Sequence, residues 1–203
     1  MGVTIHYRGT IDEPVRIRDL QREMADIAKS MGWGHSLLDD DWTVPPDATL
    51  VHERGSAKIK GHLGLKGISL LPGGGGESLS LFVDATGRLR SIMDMILQGE
   101  RRTSPDHAWV SMKTQFLSPD IHVWIVGLLK YLQKRYFTDL QVNDEGGFWE
   151  TGDRAALEAK MRLLNEKIDK LAMDLNAGSL GDLSGLSVED IASRIEDFLK
   201  KRQ

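Results

Sequence analysis

The chain opens on alternating positions: Val3, Ile5, Tyr7 and Ile11 on one side, Thr4, His6 and Arg8 on the other. A period of two predicts a strand with one buried side and one side facing solvent or a site. After Pro14 the period lengthens. Ile17, Leu20, Met24, Ile27, Ala28 and Met31 recur at helical spacing with charged residues opposite, and Gly32 and Gly34 stop the helix. Trp33 to Pro46 reads as a polar loop that closes on the stiff Pro45-Pro46 turn. From Thr49 to Leu71 the residues favour strands, with Gly61, Gly64 and Gly67 marking bulges or close backbone approach. Leu79, Leu81 and Val83 alternate in the partner strand, Asp84 to Gly87 is a turn, and Leu89 to Met93 continues as a strand or short helix. Consecutive strands with short turns predict an antiparallel meander.

The segment from His107 to Asp153 organises the rest. His107 to Phe116 reads as a strand. Ser118-Pro119-Asp120 then starts a helix: a capping hydroxyl, a proline where no amide donor is needed, and an acid at the positive end of the dipole. Ile121, Ile125, Leu128, Leu132 and Tyr136 form its stripe, and Val123, Trp124, Val126 and Leu129 make its first half apolar almost all round. Such a helix is buried on more than one side. At roughly 1.5–3 kcal/mol per fully buried large side chain, it contributes more than any other single segment. Leu140-Gln-Val142 and Phe148-Trp-Glu150, flanking Asn143 to Gly147, predict a hairpin.

Beyond Asp153 the pattern changes again. Leu157, Met161, Leu164, Ile168, Leu171 and Leu175 step by four and three along a stretch without proline or glycine, the spacing of a narrow helical seam. Asp153 is placed to cap that helix. Asn176-Ala-Gly178 stops it, and Ser187 to Asp190 opens a last helix as an approximate capping box. The pattern as a whole predicts an α+β fold over 1–153, an antiparallel sheet of about five strands packed on a long buried helix. A C-terminal helical hairpin follows over 154–203. The final helix is too short to cover the whole seam, so those six residues are expected at the interface of a homodimer.

Composition narrows the function. With 203 residues, a net charge of −4 and no interleaved Arg and aromatic positions, the chain lacks the footprint of a nucleic-acid binder. The absence of cysteine removes disulfides, thiolate nucleophiles and Cys-based metal sites. No apolar run reaches the ~20 residues that cross a bilayer, and the first residues lack the regions of a signal peptide, so no membrane partner and a cytoplasmic location are expected.

Candidate chemistry is sparse. Asp39-Asp-Asp41 suggests a cation site, but adjacent acids seldom converge on one ion, and a solvated loop is the plainer reading. Pro72 to Gly76 imitates a phosphate loop, yet Glu77 stands at its exit and a strand follows, so it reads as a hairpin tip. There is no Gly-x-Ser-x-Gly elbow to support a serine nucleophile. His6, His52, His62, His107 and His122 lie in or beside predicted sheet elements and the core helix without ligand spacing. His122, with Asp144 and Glu145 in the acidic turn, is the best candidate metal set; its plainer reading is a core histidine bonded to backbone. His122, Trp124, Trp149 and Glu150 are candidate contacts for a small-molecule ligand, in a cavity between sheet and helix. The five tryptophans otherwise read as core. No pattern assigns a cofactor.

Thr114-Gln115 before the core helix, with Asp-Glu-Gly-Gly-Phe-Trp-Glu-Thr-Gly-Asp after it, resembles some uncharacterised bacterial proteins over about the first three quarters of the chain. That resemblance implies no activity and carries no catalytic residues. The leading expectation is a non-catalytic ligand-binding or regulatory interaction module, assembled through its C-terminal helices. The second is a metal-dependent hydrolase using His122, Asp144 and Glu145.

Overall fold

In the structure, a computed structural model that describes residues 2–53, 56–73, 75–99 and 109–176 with 187, 190 and 193, the opening alternation is realised as strand β1 (Thr4–Arg8). Val3, Ile5 and Tyr7 are fully buried and Ile11 nearly so, while Thr4, His6 and Arg8 keep partial exposure. Helix α1 (Ile17–Ser30) buries Ile17, Leu20, Met24 and Ala28, as its spacing predicts. Gly32, at φ 67°, turns the chain out of it.

The elements that follow are β2 (Gly34–Asp39), β3 (Thr49–Glu53), β4 (Ser56–Lys60), β5 (Lys66–Leu71), β6 (Leu79–Val83), α2 (Ile92–Gly99), β7 (Val110–Lys113), α3 (Pro119–Arg135), β8 (Gln141–Asp144), α4 (Phe148–Thr151) and α5 (Arg154–Asn176). All strand pairs are antiparallel, and the fold is α+β. The expected sheet of about five strands is instead three small ones: β7-β1-β8, β2-β5-β6 and the β3-β4 hairpin. The meander is interrupted because β1 takes both its neighbours from the distant segment around α3, leaving the middle strands to pair among themselves.

Compact structure divides into two units, Met1–Met161 and Arg162–Gln203. In the first, α3 buries His122, Ile125, Val126, Leu128, Leu129 and Leu132, in one cluster with Ile5, Tyr7 and Leu20 apart from the histidine. Strand β6 serves two cores. Leu79, Leu81 and Val83 enter that cluster, and Phe82, on the opposite side, joins a smaller one with Leu65, Met95 and Ile96. The Tyr7 hydroxyl ties the two three-stranded sheets together: it donates to the Ser80 carbonyl at 2.8 Å and accepts from the Ser80 amide at 3.1 Å. At Gly67 the β6 backbone leaves no room for a side chain on β5. At φ 144°, a Cβ there would lie 2.0 Å from the Leu81 carbonyl oxygen.

Two further expectations change. The polar loop from Trp33 to Pro46 contains β2, an edge strand with five exposed residues and Leu38 half-buried, so it shows no alternation. The expected hairpin at 140–150 is strand, turn and helix: β8 ends at Asp144, and Phe148-Trp-Glu150 lies in α4. The Asp144 carboxylate accepts from the Gly146 and Trp149 amides at 2.7 and 3.0 Å, which favours a helical turn over a returning strand. The three acids of 39–41 each have a structural partner: Lys66, the Leu65 amide and Thr43. Asp153 caps α5 by accepting from Ala156 N at 3.0 Å. In the second unit α5 continues to Asn176, and the Ser187 hydroxyl accepts from Asp190 N at 3.1 Å. The rest of the expected final helix and its linker lie outside the described residues, as does His107.

Candidate functional site

Among the described residues, helix α3 positions the most enclosed polar cluster. Ser118 Oγ accepts from Ile121 N, Pro119 occupies the first turn, and His122 follows one turn in. Its Nδ1 lies 2.8 Å from Thr114 Oγ1 and its Nε2 3.1 Å from Asp144 Oδ2. The side chains of His122 and Asp144 are fully buried, and so is Thr114. The Val3 carbonyl already accepts the amides of Thr114 and Gln115, at 2.9 and 3.1 Å, and lies 3.2 Å from the Thr114 hydroxyl. The Thr114 hydroxyl donates to that carbonyl, and His122 Nε2–H donates to Asp144. Burial alone would raise the Asp144 carboxyl. The hydrogen bond and charge of His122, with the Trp149 and Gly146 amides, hold it below the ordinary range instead. Gly146 must lack a side chain, because a Cβ would meet Leu157 at 2.8 Å, Asp144 at 2.9 Å and His122 at 3.0 Å.

Chemically this cluster is a lock. It joins the end of β7, the start of α3 and the acidic turn, and its reactive atoms do not meet solvent. His122 is a core histidine as expected, but its partners are side chains, not backbone. Both ring nitrogens are engaged, and among the described residues no three histidine or acidic side chains could hold a metal ion. Glu145 lies elsewhere, 3.8 Å from His6 Nε2. The candidate ligand contacts are likewise dispersed. Trp124 packs edge-on against Trp33 at 4.8 Å, Trp149 sits under the Lys130 ammonium at 5.3 Å, and Glu150 is exposed. Along the seam, Leu157 and Met161 are buried within the chain, Leu164 is half-buried and Ile168 is 40% exposed; the side chains of Leu171 and Leu175 lie outside those described.

A groove of about 690 Å³ runs between α1 and α3, with Ile27 and Leu128 among its lining residues, Asp19, Arg22 and Asp26 from α1, and Tyr131 and Arg135 from α3. Glu23 is its hub. It accepts from the hydroxyls of Tyr131 and Tyr136 (2.6 Å for Tyr136) and from Arg135 Nε at 3.0 Å. Burial pushes the Glu23 carboxyl up, but those three bonds and the Arg135 charge outweigh it and hold the group low. Burial and the adjoining carboxylate push the Tyr131 phenol up to about 12. The sequence reading passed over Glu23 as one acid on a solvated helix face. The available signal was Tyr131 with Arg135, four apart on the polar end of a helix otherwise apolar.

Fold and site together define an α+β protein of several small antiparallel sheets, with a sealed histidine lock and an open groove between two helices. Comparison with protein-family models, with curated proteins and with solved structures finds no match for the chain. Among the described residues no helix is long and apolar enough to cross a membrane.

Proposed function

We propose that this chain is a ligand-binding or regulatory interaction module that engages its partner through the groove between α1 and α3. The observation that carries the reading is the pairing of apolar lining with charges that are already neutralised. Ile27 and Leu128 offer apolar contact, while Asp19 pairs with Arg22, and Glu23 with Arg135 and two tyrosines. Apolar centre within polar rim is the usual anatomy of a recognition surface. A carboxylate held ionised by three donors and a phenol with a raised pKa are poor bases and nucleophiles at neutral pH, so this groove supports binding and not reaction.

The test is a fragment screen on the isotopically labelled full chain, followed by backbone amide shifts. Binding here predicts perturbations clustered at Ile27, Leu128 and Tyr131, and their loss in Ile27→Ser. Hits that cluster elsewhere, or shifts unaffected by that substitution, would remove the proposal. Assembly through the C-terminal helices is part of the same reading, with Ile168 as the seam position whose exposure leaves it free for a second copy.

A further inference from the structure

The outward face of the β7-β1-β8 sheet carries a second polar constellation, drawn from three separate strand segments. His6, on the central strand, is opposite Ser111 of β7 and Asn143 of β8. His6 Nδ1 is 2.7 Å from Ser111 Oγ, and His6 Nε2 is 3.8 Å from Glu145 Oε1. Unlike the His122 lock this group is open: Ser111 is exposed, and the side chains of His6 and Glu145 retain 29% and 41% of their surface. Its frame is firm. β1 is paired on both sides, the Glu145 amide donates to the Thr4 carbonyl at 3.0 Å, and Lys160 donates to the Glu145 carbonyl. A cross-strand Ser–His pair is an ordinary feature of a solvated sheet. The carboxylate beyond the ring is what gives this one a direction.

We propose that Ser111, His6 and Glu145 form a nucleophilic site that hydrolyses carboxylic esters lying across the open sheet face. Ser111 is the nucleophile, His6 the general base and Glu145 a positioning residue. With the Ser111 hydroxyl donating to Nδ1, the ring proton sits on Nε2 and faces Glu145, whose carboxylate orients the ring. Ser111 Oγ bonds to the ester carbonyl carbon as its proton passes to His6 Nδ1. The bond to the leaving oxygen then breaks, and His6 returns the proton to that oxygen, leaving an acyl ester on Ser111. Water repeats the sequence: it loses a proton to His6, attacks the acyl carbon, and releases a carboxylic acid as the proton returns to Ser111. Lys113 shares a face of β7 with Ser111, and its ammonium, over the Phe116 ring at 5.4 Å, is the cation assigned to the developing oxyanion. The substrate class is assigned from the aromatic side chains at the two ends of β7: Trp109, under the Arg8 guanidinium at 4.5 Å, and Phe116, 57% exposed beside Lys113, suit aryl esters.

The full chain is treated with a fluorophosphonate probe, the modified residue is mapped by mass spectrometry, and p-nitrophenyl acetate hydrolysis is followed against pH. The expected result is label on Ser111, lost in Ser111→Ala, and hydrolysis reduced about 10²–10⁴-fold in His6→Gln. Glu145→Gln should leave the label on Ser111 but lower kcat with KM unchanged, because the carboxylate no longer orients the ring that takes the proton. Label on another residue, or only on denatured protein, overturns the proposal. So does hydrolysis that survives Ser111→Ala, or a kcat unchanged in Glu145→Gln. Ser111→Cys gives a second measurement, since the chain has no cysteine of its own. Its alkylation by iodoacetamide near pH 7 should slow when His6→Gln is added, and equal rates with and without His6 would exclude activation by the ring.

Discussion

Removing the Asp144 carboxylate is the sharpest test of the lock. Asp144 accepts from His122 Nε2 at 3.1 Å, from the Gly146 amide at 2.7 Å and from the Trp149 amide at 3.0 Å, and its side chain is shielded from water. Each bond to a charged acceptor is worth about 1.5–3 kcal/mol, and they are not additive because the donors share one group. Breaking a buried pair by deleting one partner typically costs about 3–5 kcal/mol, and Asp144→Ala is expected in that range. Asp153→Ala is the control. Asp153 is exposed and its capping carboxylate accepts from the Ala156 amide, so its loss should cost about 1 kcal/mol. Urea melts followed by tryptophan fluorescence measure both. If Asp144→Ala costs no more than Asp153→Ala, the cluster does not hold the fold. Acid supplies a second reading. The folded carboxyl lies below its ordinary 3.8, so its stabilisation is present above about pH 4–5 and disappears as pH falls through the folded value. The wild-type and Asp144→Ala stabilities should therefore converge in acid; a constant gap would contradict the assigned shift.

Leu128→Ala, at a position only 6% exposed on α3, should cost about 2–5 kcal/mol in the same melts, and a loss under about 1 kcal/mol would mean that α3 is not central. Gly32→Ala and Gly67→Ala should separate conformation from space. Gly32 has no neighbour within 4 Å and should lose about 1–2 kcal/mol, whereas Gly67→Ala drives a methyl group into the Leu81 carbonyl and should lose about 4 kcal/mol or more; equal losses would refute the close approach. Ile168→Glu should convert a homodimer to monomer by light scattering if the seam is its interface, and a dimer that persists would relocate the contact. Calorimetric titration with zinc, manganese and magnesium is expected to show no stoichiometric uptake, since both His122 nitrogens are engaged; uptake abolished by His122→Ala would restore the metal reading.

Elements with one buried face were legible, because one face imposes a period. β1, α1 and the apolar α3 bury most of the residues that their spacing selects, while Ile27 and Ile121 are half-buried and Met31 is exposed. What periodicity does not encode is the partner. The alternation in β1 says that Val3, Ile5 and Tyr7 face a core, but not that the strands beside it come from residues 110–113 and 141–144. Strand β2 left no trace because its side chains are exposed on both faces, so nothing selected apolar residues at alternate positions. Phe148-Trp-Glu150 misled for a related reason. Aromatic residues favour strands on average, but here a single buried carboxylate holds two backbone amides of the turn and the helix behind it.

The candidate metal set shows the same limit at the level of chemistry. His122, Asp144 and Glu145 were grouped because a histidine on the core helix and two adjacent acids are close in composition, and the structure does bring His122 to Asp144. It cannot bring Glu145 there as well. Asp144, the last residue of β8, turns inward to His122, while Glu145, in the turn that follows, lies outward beside His6. Strand parity acts across the ladder: Ile5 is buried while His6 next to it is partly exposed, and Met112 is buried while Ser111 beside it is exposed. One sheet thus sorts two histidines and two adjacent acids into a sealed pair and an open pair. Thr114 completes the first and Ser111 the second. A hydroxyl, an imidazole and a carboxylate recur on both faces, one set sealed from solvent and the other open to it.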